Sequence, residues 1–408
     1  MDGPTPEQGL TVETAAQDLP SLPVLIAAVA LLCAGLATAR PAGQRDGDFV
    51  HLWLGGHALV TEGSGAVYAP AVHRRLLDST FAGAPPAELW ADRNDDLGAF
   101  FYPPPAALAY APLGALPLRL AATLHAALAW LGAALAGGLI GQRTGLGRVA
   151  GVALGLSTPA LFHNHVLGQN GSWVLLLLAV VSVCWNRRPL LAGAVLGLLV
   201  AKPSWLLATA WVPLVLGRWR ILGALTASAL GLSVASAVIL GVQPWSDWLA
   251  LAPHLAALST QGDYPLHLQY SLFGLARRVA GLGLPGDLMG GLLGIGVVAL
   301  TGWAAHRSKA TATRLALGWS AATLVSPHLH PYDVTGGIFA VAVLLAEPRH
   351  RRLGIAALLV HHGGQLLEGF QGTGWRLAPA TLGLLFAWGA LVFVALRPHS
   401  SVEHNSDG

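Results

Sequence analysis

The chain has 408 residues, of which 54% are hydrophobic and 11% charged, against roughly 25% charged in an average soluble domain. So little polar surface excludes a water-soluble globule and makes a lipid bilayer the solvent. The formal net charge of +3 does not signal a nucleic-acid partner, because lysines and arginines occur singly or in short clusters and form no basic stripe.

Residues 1–21 contain Asp2, Glu7, Glu13 and Asp18 with no Lys or Arg, the wrong charge for a signal-peptide n-region. They are expected to form a cytoplasmic tail before an uncleaved first span. Apolar runs near 22–39, 121–141, 149–167, 172–185, 189–201, 204–217, 221–242, 284–305, 315–327, 334–346, 353–367 and 377–396 predict an all-α polytopic membrane protein. It has about twelve transmembrane helices in one unit over 22–396 and a cytoplasmic tail over 397–408. Several runs fall short of the ~20 residues a straight spanning helix needs, so broken helices are expected. The stretch Pro189–Gly217 is long for one span and short for two. A single span there would move Arg218, Arg220, Arg307, Lys309, Arg314, Arg349, Arg351 and Arg352 to the outside, against the bias of short basic loops toward the cytoplasm. Two short helices meeting at Lys202-Pro203 follow.

With that choice most of the 23 basic residues lie in short inner gaps and the C-terminal tail. Two large extracytoplasmic loops result, 40–98 and 243–283, which are long enough to be exempt from the charge rule. Between the first loop and the second span, segment 99–118 is apolar but carries Pro103, Pro104, Pro105, Pro112 and Pro117. These remove backbone donors and would break a spanning helix, so the segment is expected to be re-entrant from the outer face. Cys33 and Cys184 lie inside apolar runs, which leaves no disulfide framework or cysteine metal site.

On this map one face collects the reactive side chains. It gathers Asp48 after the first span, Tyr102, the pair Gln169 and Asn170, Lys202, Ser271 before Arg278, and His328, His330 and Asp333. Ionisable groups at the membrane edge are costly, and their convergence at one depth marks a candidate site. A carboxylate at Asp48 would serve as general base toward an acceptor hydroxyl; a helix N-cap is the structural alternative. Lys202 would need an anion for a partner, a lipid-linked phosphate or, alternatively, Asp48 or Asp333. His328 and His330, as imidazolium groups, would hold a phosphate leaving group, with Asp333 orienting one ring. The His-x-His spacing also admits a metal, but no third or fourth ligand is defined, and no metal or cofactor is assigned. Arg278 would clamp an anion or meet a lipid headgroup. His361 and His362 read as a core pair within a span.

Several of these residues stand in a familiar order: Asp48-Phe49 after the first span, Phe101-Tyr102-Pro103-Pro104 followed by Pro112, Gly168-Gln169-Asn170, Ala192-Gly193 through Lys202-Pro203, Ser271 through Arg278, and Ser326-Pro327 with the histidines. From about 47 to 333 the chain resembles glycosyltransferase family 87, the polyprenol-phosphate-mannose-dependent mannosyltransferases of the C-type glycosyltransferase fold. The resemblance implies inverting transfer of a sugar, most often mannose, from a polyprenyl phosphate donor to a glycolipid or glycan acceptor. The reaction would take place on the outer face of the plasma membrane, usually without a metal. It further implies Asp48 as the catalytic base, Lys202 with His328, His330 and Arg278 at the donor phosphate, and Tyr102, Gln169, Asn170, Ser271 and Asp333 against substrate. Gln269-Tyr270-Ser271 departs from the asparagine expected before the serine. Two other functions stay open on the sequence: arabinosyl transfer from a polyprenyl phosphate, and a lipid-linked sugar flippase or transporter, which the broken span at Lys202-Pro203 would suit.

Overall fold

The computed structural model describes residues 27–32, 35–36, 48–82, 100–258, 266–369 and 378–397. Among them the regular elements are helices. The expected tail 1–21 lies outside the described residues, as do all of the expected tail 397–408 beyond Arg397 and most of the first span.

The first expected outer loop carries α1 (Phe49–Glu62) and α2 (Pro70–Thr80). After Tyr102 the proline run does not abolish helix: Pro103 occupies the N-cap and α3 (Pro104–Gly114) begins on Pro104-Pro105. Proline is favoured in a first turn, where its missing N–H would have no intrahelical partner. The same prolines keep α3 short, and it packs as a hairpin against α1.

Then follow α4 (Leu118–Thr144), α5 (Arg148–Ser157), α6 (Pro159–Leu167), α7 (Gly171–Cys184), α8 (Pro189–Gly197) and, beyond a 3₁₀ turn over Leu198–Ala201, α9 (Pro203–Val215). The expected span 149–167 is thus two helices. Thr158 is extended (φ −67°, ψ 126°) and Pro159 opens α6, as the bias of a residue preceding proline requires. The break foreseen at Lys202-Pro203 is present, with Lys202 at φ −137° and ψ 79°. The chain continues through α10 (Trp219–Leu240), α11 (Gln243–Leu258), α12 (Leu272–Ala280), α13 (Leu284–Arg307), α14 (Thr311–Val325), α15 (Gly337–Ala346), α16 (Arg351–Gly369) and α17 (Pro379–Leu396). The second expected outer loop therefore contains α11 and α12. At nine residues, α12 is too short to stand out as a span.

Among the described residues four helices are long and apolar enough to cross a membrane: α4, α10, α13 and α17. At ~1.5 Å per residue, the 27 residues of α4 exceed the ~30 Å of hydrocarbon. Five further apolar elements are shorter, over 148–157, 171–184, 189–201, 203–215 and 337–346. Lipid-facing character is visible on α10 and α13, where Val238 is 80% and Leu292 70% exposed. At the centre, α14 and α15 are buried over Leu315–Leu324 and Gly337–Ala342.

Gaps expected on one side meet: Asn186 accepts from Arg218 at 2.8 Å and donates to Thr311 at 3.2 Å, and Arg143 donates to the Ser182 carbonyl at 3.1 Å. At the opposite end the turns near 169, 202, 270 and 332 converge.

Small residues let the helices approach. On α4, Gly137 and Gly141 face Gly151 and Gly147 on and before α5 so closely that a Cβ at Gly151 would overlap the Gly137 carbonyl. In lipid, where apolar tails surround every helix, such backbone-to-backbone packing replaces the hydrophobic drive to associate. Gly151→Val should therefore cost about 1–3 kcal/mol, seen as a lower thermal unfolding midpoint in detergent. Gly231→Ala, where a Cβ meets nothing within 4 Å, should leave the midpoint unchanged or slightly raised.

Candidate functional site

The site is built on the turn between α6 and α7. Gly168 closes α6 in the left-handed region (φ 66°) and its N–H reaches the Asn164 carbonyl. Gln169 N–H donates to the same carbonyl at 3.0 Å, and the Asn164 side chain accepts from Gly171 N–H at 2.7 Å. Both glycines are required. A Cβ at Gly168 would strike Phe49, and one at Gly171 would overlap the Tyr332 carbonyl. The turn is thus wedged between the start of α1 and the 3₁₀ turn Pro331–Asp333.

Gln169 and Asn170 project from this wedge toward different partners. Gln169 Nε2 donates to Asp48 Oδ2 at 2.8 Å, and Gln169 Oε1 accepts from the Tyr102 hydroxyl at 3.0 Å. Asp48 stands at the N-cap position of α1, yet its backbone is helical (φ −58°, ψ −14°) and its side chain makes no capping bond. The capping alternative is thereby set aside. Burial, reinforced by the Asp48 charge, raises the Tyr102 pKa well above its ordinary value, so the phenol remains a donor.

Asn170 serves the cation. Its Oδ1 accepts from Lys202 Nζ at 2.6 Å and its side chain also bonds Tyr110. Lys202 forms an ion pair with Asp333 at 2.5 Å, and Trp205 Nε1 adds a second donor to the same Asp333 oxygen at 3.1 Å. The ammonium lies 5.0 Å from the Tyr332 ring centroid. Lys202 is 8% and Asp333 1% exposed. A pair this deep is retained only when each charge has further hydrogen bonds, which Asn170 and Trp205 supply. Asp333 was expected to orient a histidine, to pair with Lys202 or to meet substrate; the structure shows the pairing.

His328 and His330 flank this pair. Their Nε2 atoms are 2.9 Å apart and the His330 ring stacks on Tyr332 at 5.4 Å. His328 is exposed and His330 half-buried. Desolvation lowers both pKa values, that of His330 well below the ordinary range, and Lys202 adds to it. These lowered values weigh against the expectation of two imidazolium groups, and Lys202 is a cation acting on both rings.

Two expected site residues have other partners. Ser271 caps α12, its side chain accepting from Gly274 N–H. Arg278 pairs with Glu368 on α16 at 2.6 Å, with side-chain exposures of 5% and 2%, and donates to the Leu266 carbonyl at 2.8 Å. Its neighbour Arg277 binds Asp287 at 2.6 Å and Gln269 at 3.2 Å. The Tyr270 N–H donates to the Leu329 carbonyl at 3.0 Å, so this segment braces the histidine turn from behind. Trp205, Tyr110, Asn164 and His125, which binds the Gln169 carbonyl at 2.9 Å, belong to the site framework but were not singled out by the sequence. Each lies inside an apolar run where it reads as core. Among the described residues no group of three or more His, Cys, Asp or Glu side chains could hold a metal ion.

An α-helical membrane protein that gathers a carboxylate, a paired lysine and amide side chains at the common end of its helices fits a lipid-phase transferase. The sequence model of glycosyltransferase family 87 matches residues 100–327, more than half the chain, and the protein belongs to that family. The matched region holds Tyr102, Gln169, Asn170, Lys202, Ser271 and Arg278; Asp48 and the residues from His328 to Asp333 flank it. No curated protein and no solved structure matches the chain.

The Arg278–Glu368 pair generates a direct test of its structural part. Glu368→Gln leaves a buried guanidinium without a counter-charge and should cost about 3–5 kcal/mol, whereas the double change Arg278→Met with Glu368→Leu should recover most of the loss. Thermal unfolding midpoints in detergent read both.

Proposed function

We propose that this family member is an inverting transferase that moves a sugar, mannose foremost, from a polyprenyl phosphate to a hydroxyl of a glycolipid or glycan. The reaction is assigned to the extracytoplasmic face of the plasma membrane, and the chain to a twelve-span C-type fold. The observation that carries the reading is one turn that holds a carboxylate on one side, through Gln169, and a buried ammonium on the other, through Asn170.

The chemistry needs both poles. Asp48 takes the acceptor O–H proton as the oxygen attacks the anomeric carbon from the face opposite the phosphate. The bond from that carbon to the phosphate oxygen breaks, and the phosphate leaves with the electron pair. Asp48 accepts a hydrogen bond through Oδ2 from Gln169, which leaves Oδ1 for the acceptor. At the leaving group Lys202 supplies positive charge. Its ammonium donates to Asn170 and Asp333, and a third N–H is left for a phosphate oxygen. His328 and His330 contribute as neutral partners. Arg278, neutralised by Glu368, is left out of the phosphate site.

Polyprenyl-phosphate arabinose is the competing donor, since Asp48 and Lys202 would serve either sugar. Membership of a glycosyltransferase family and a Lys202 enclosed by Asn170 and Asp333 favour transfer over transport.

Asp48→Asn keeps the shape of the side chain but removes the base. Turnover of a polyprenyl-phosphate sugar should fall by about 10²–10⁴-fold with unchanged folded yield, and near-normal turnover would refute the assigned role. Sidedness is tested with cysteines at the exposed positions His254, Pro327 and Lys309. The first two should react with a membrane-impermeant maleimide in intact cells and the third only after permeabilisation; the reverse pattern would place the site on the cytoplasmic face.

A further inference from the structure

The side chain of Gln169 has two ends of nearly the same shape, and only its partners distinguish them. One end faces Asp48 and the other faces Tyr102. An ionised carboxylate can only accept, so the NH₂ end must point to Asp48. The carbonyl end then faces Tyr102, whose hydroxyl must donate. Because the Tyr102 phenol is held protonated by burial and by the Asp48 charge, this single arrangement satisfies all three groups.

Each member is anchored from outside the chain of bonds. The Tyr102 carbonyl accepts from the Tyr68 hydroxyl at 2.6 Å, and the adjacent Phe101 carbonyl accepts from Trp248 Nε1 at 3.2 Å. The backbone of Gln169 is fixed at its N–H by Asn164 and at its carbonyl by His125. Asp48 is bound into α1 through its carbonyl, which accepts from His51 N–H at 3.1 Å. That bond leaves the Asp48 side chain free to turn, and the hydrogen bond from Gln169 restrains its carboxylate.

We propose that Tyr102 and Gln169 are positioning residues for Asp48: the Tyr102 hydroxyl locks the Gln169 amide in one orientation, and the amide turns the carboxylate so that Oδ1 meets the acceptor hydroxyl. This assignment replaces the substrate-contact role expected for both, and it rests on the reading of Asp48 as base. A relay of this kind acts on the chemical step and leaves substrate binding alone.

Purified full-length enzyme with a polyprenyl-phosphate sugar, under single-turnover conditions, tests it. Gln169→Leu frees the carboxylate and should slow the step about 10–100-fold, the scale of a misplaced reacting group, with donor and acceptor KM little changed. Tyr102→Phe, which keeps the ring against Phe100, should slow it less, by letting the amide flip. The double variant should be no slower than Gln169→Leu alone, because the hydroxyl's hydrogen bond reaches Asp48 through the amide. Multiplicative losses in the double variant, or losses that appear in KM, would overturn the relay while Asp48→Asn stays inactive. Full turnover by Asp48→Asn would instead overturn the base assignment, and the relay with it.

Discussion

The four-residue turn Gly168-Gln169-Asn170-Gly171 is the constraint on which the site depends. Two glycines without side chains let its backbone touch Phe49 on one side and Tyr332 on the other, segments far apart in the chain. Because consecutive Cα atoms are about 3.8 Å apart, Gln169 and Asn170 tie their separate partners into one neighbourhood. The bond from Gln169 to Asp48 and that from Asn170 to Lys202 then tie both partners to one turn. A β-carbon at either glycine would part the two halves.

Broken helices make this convergence possible. Unsatisfied backbone groups are tolerated at membrane depth only where protein or a polar cavity covers them, and the site is assembled at such interruptions: Thr158-Pro159, the 168–171 turn, Lys202-Pro203 and the 331–333 turn. Each ends a helix too short to span a bilayer unaided. The long helices α10 and α13 lie outside and face lipid, while the central α14 and α15 carry the turn that presents Asp333. Short and long elements thus divide the work of chemistry and enclosure.

The sequence showed much of this because membrane insertion leaves coarse traces. A lysine in an apolar stretch and the parity of arginine clusters were enough to place the break at Lys202-Pro203, and Asn186, Arg218 and Thr311 join three gaps that the sequence expects on one side. Of the pairings, Lys202–Asp333 was among those the sequence left open, whereas that of Arg278 was not legible. Arg278 beside Ser271 looks like an anion clamp, and its real partner Glu368 sits on a helix far along the chain. The capping question at Asp48 turns on a backbone angle that no local composition fixes. Nor does a His-x-His spacing report whether the rings are charged; enclosure by neighbouring atoms decides that. The break at Thr158-Pro159 had a visible signal in its proline, outweighed by the apolar run on either side.

The charge balance of the site bears on how the proposed reaction would be driven. Asp48, Asp333 and Lys202 sum to one negative charge, and the neutral histidines add none. A lipid-linked phosphodiester donor, itself anionic, meets an ammonium already shared with Asp333 and Asn170, so Lys202 attracts it weakly in the ground state. When the bond to the anomeric carbon breaks, the phosphate gains a second negative charge on the leaving oxygen. The remaining N–H of Lys202 then interacts with a stronger acceptor, while the Asp48 carboxylate loses its charge by taking the proton. Repulsion falls and attraction rises along the same coordinate, which is the differential binding that accelerates a step instead of merely holding the substrate. A lysine without Asp333 would bind the donor more tightly and surrender part of that difference.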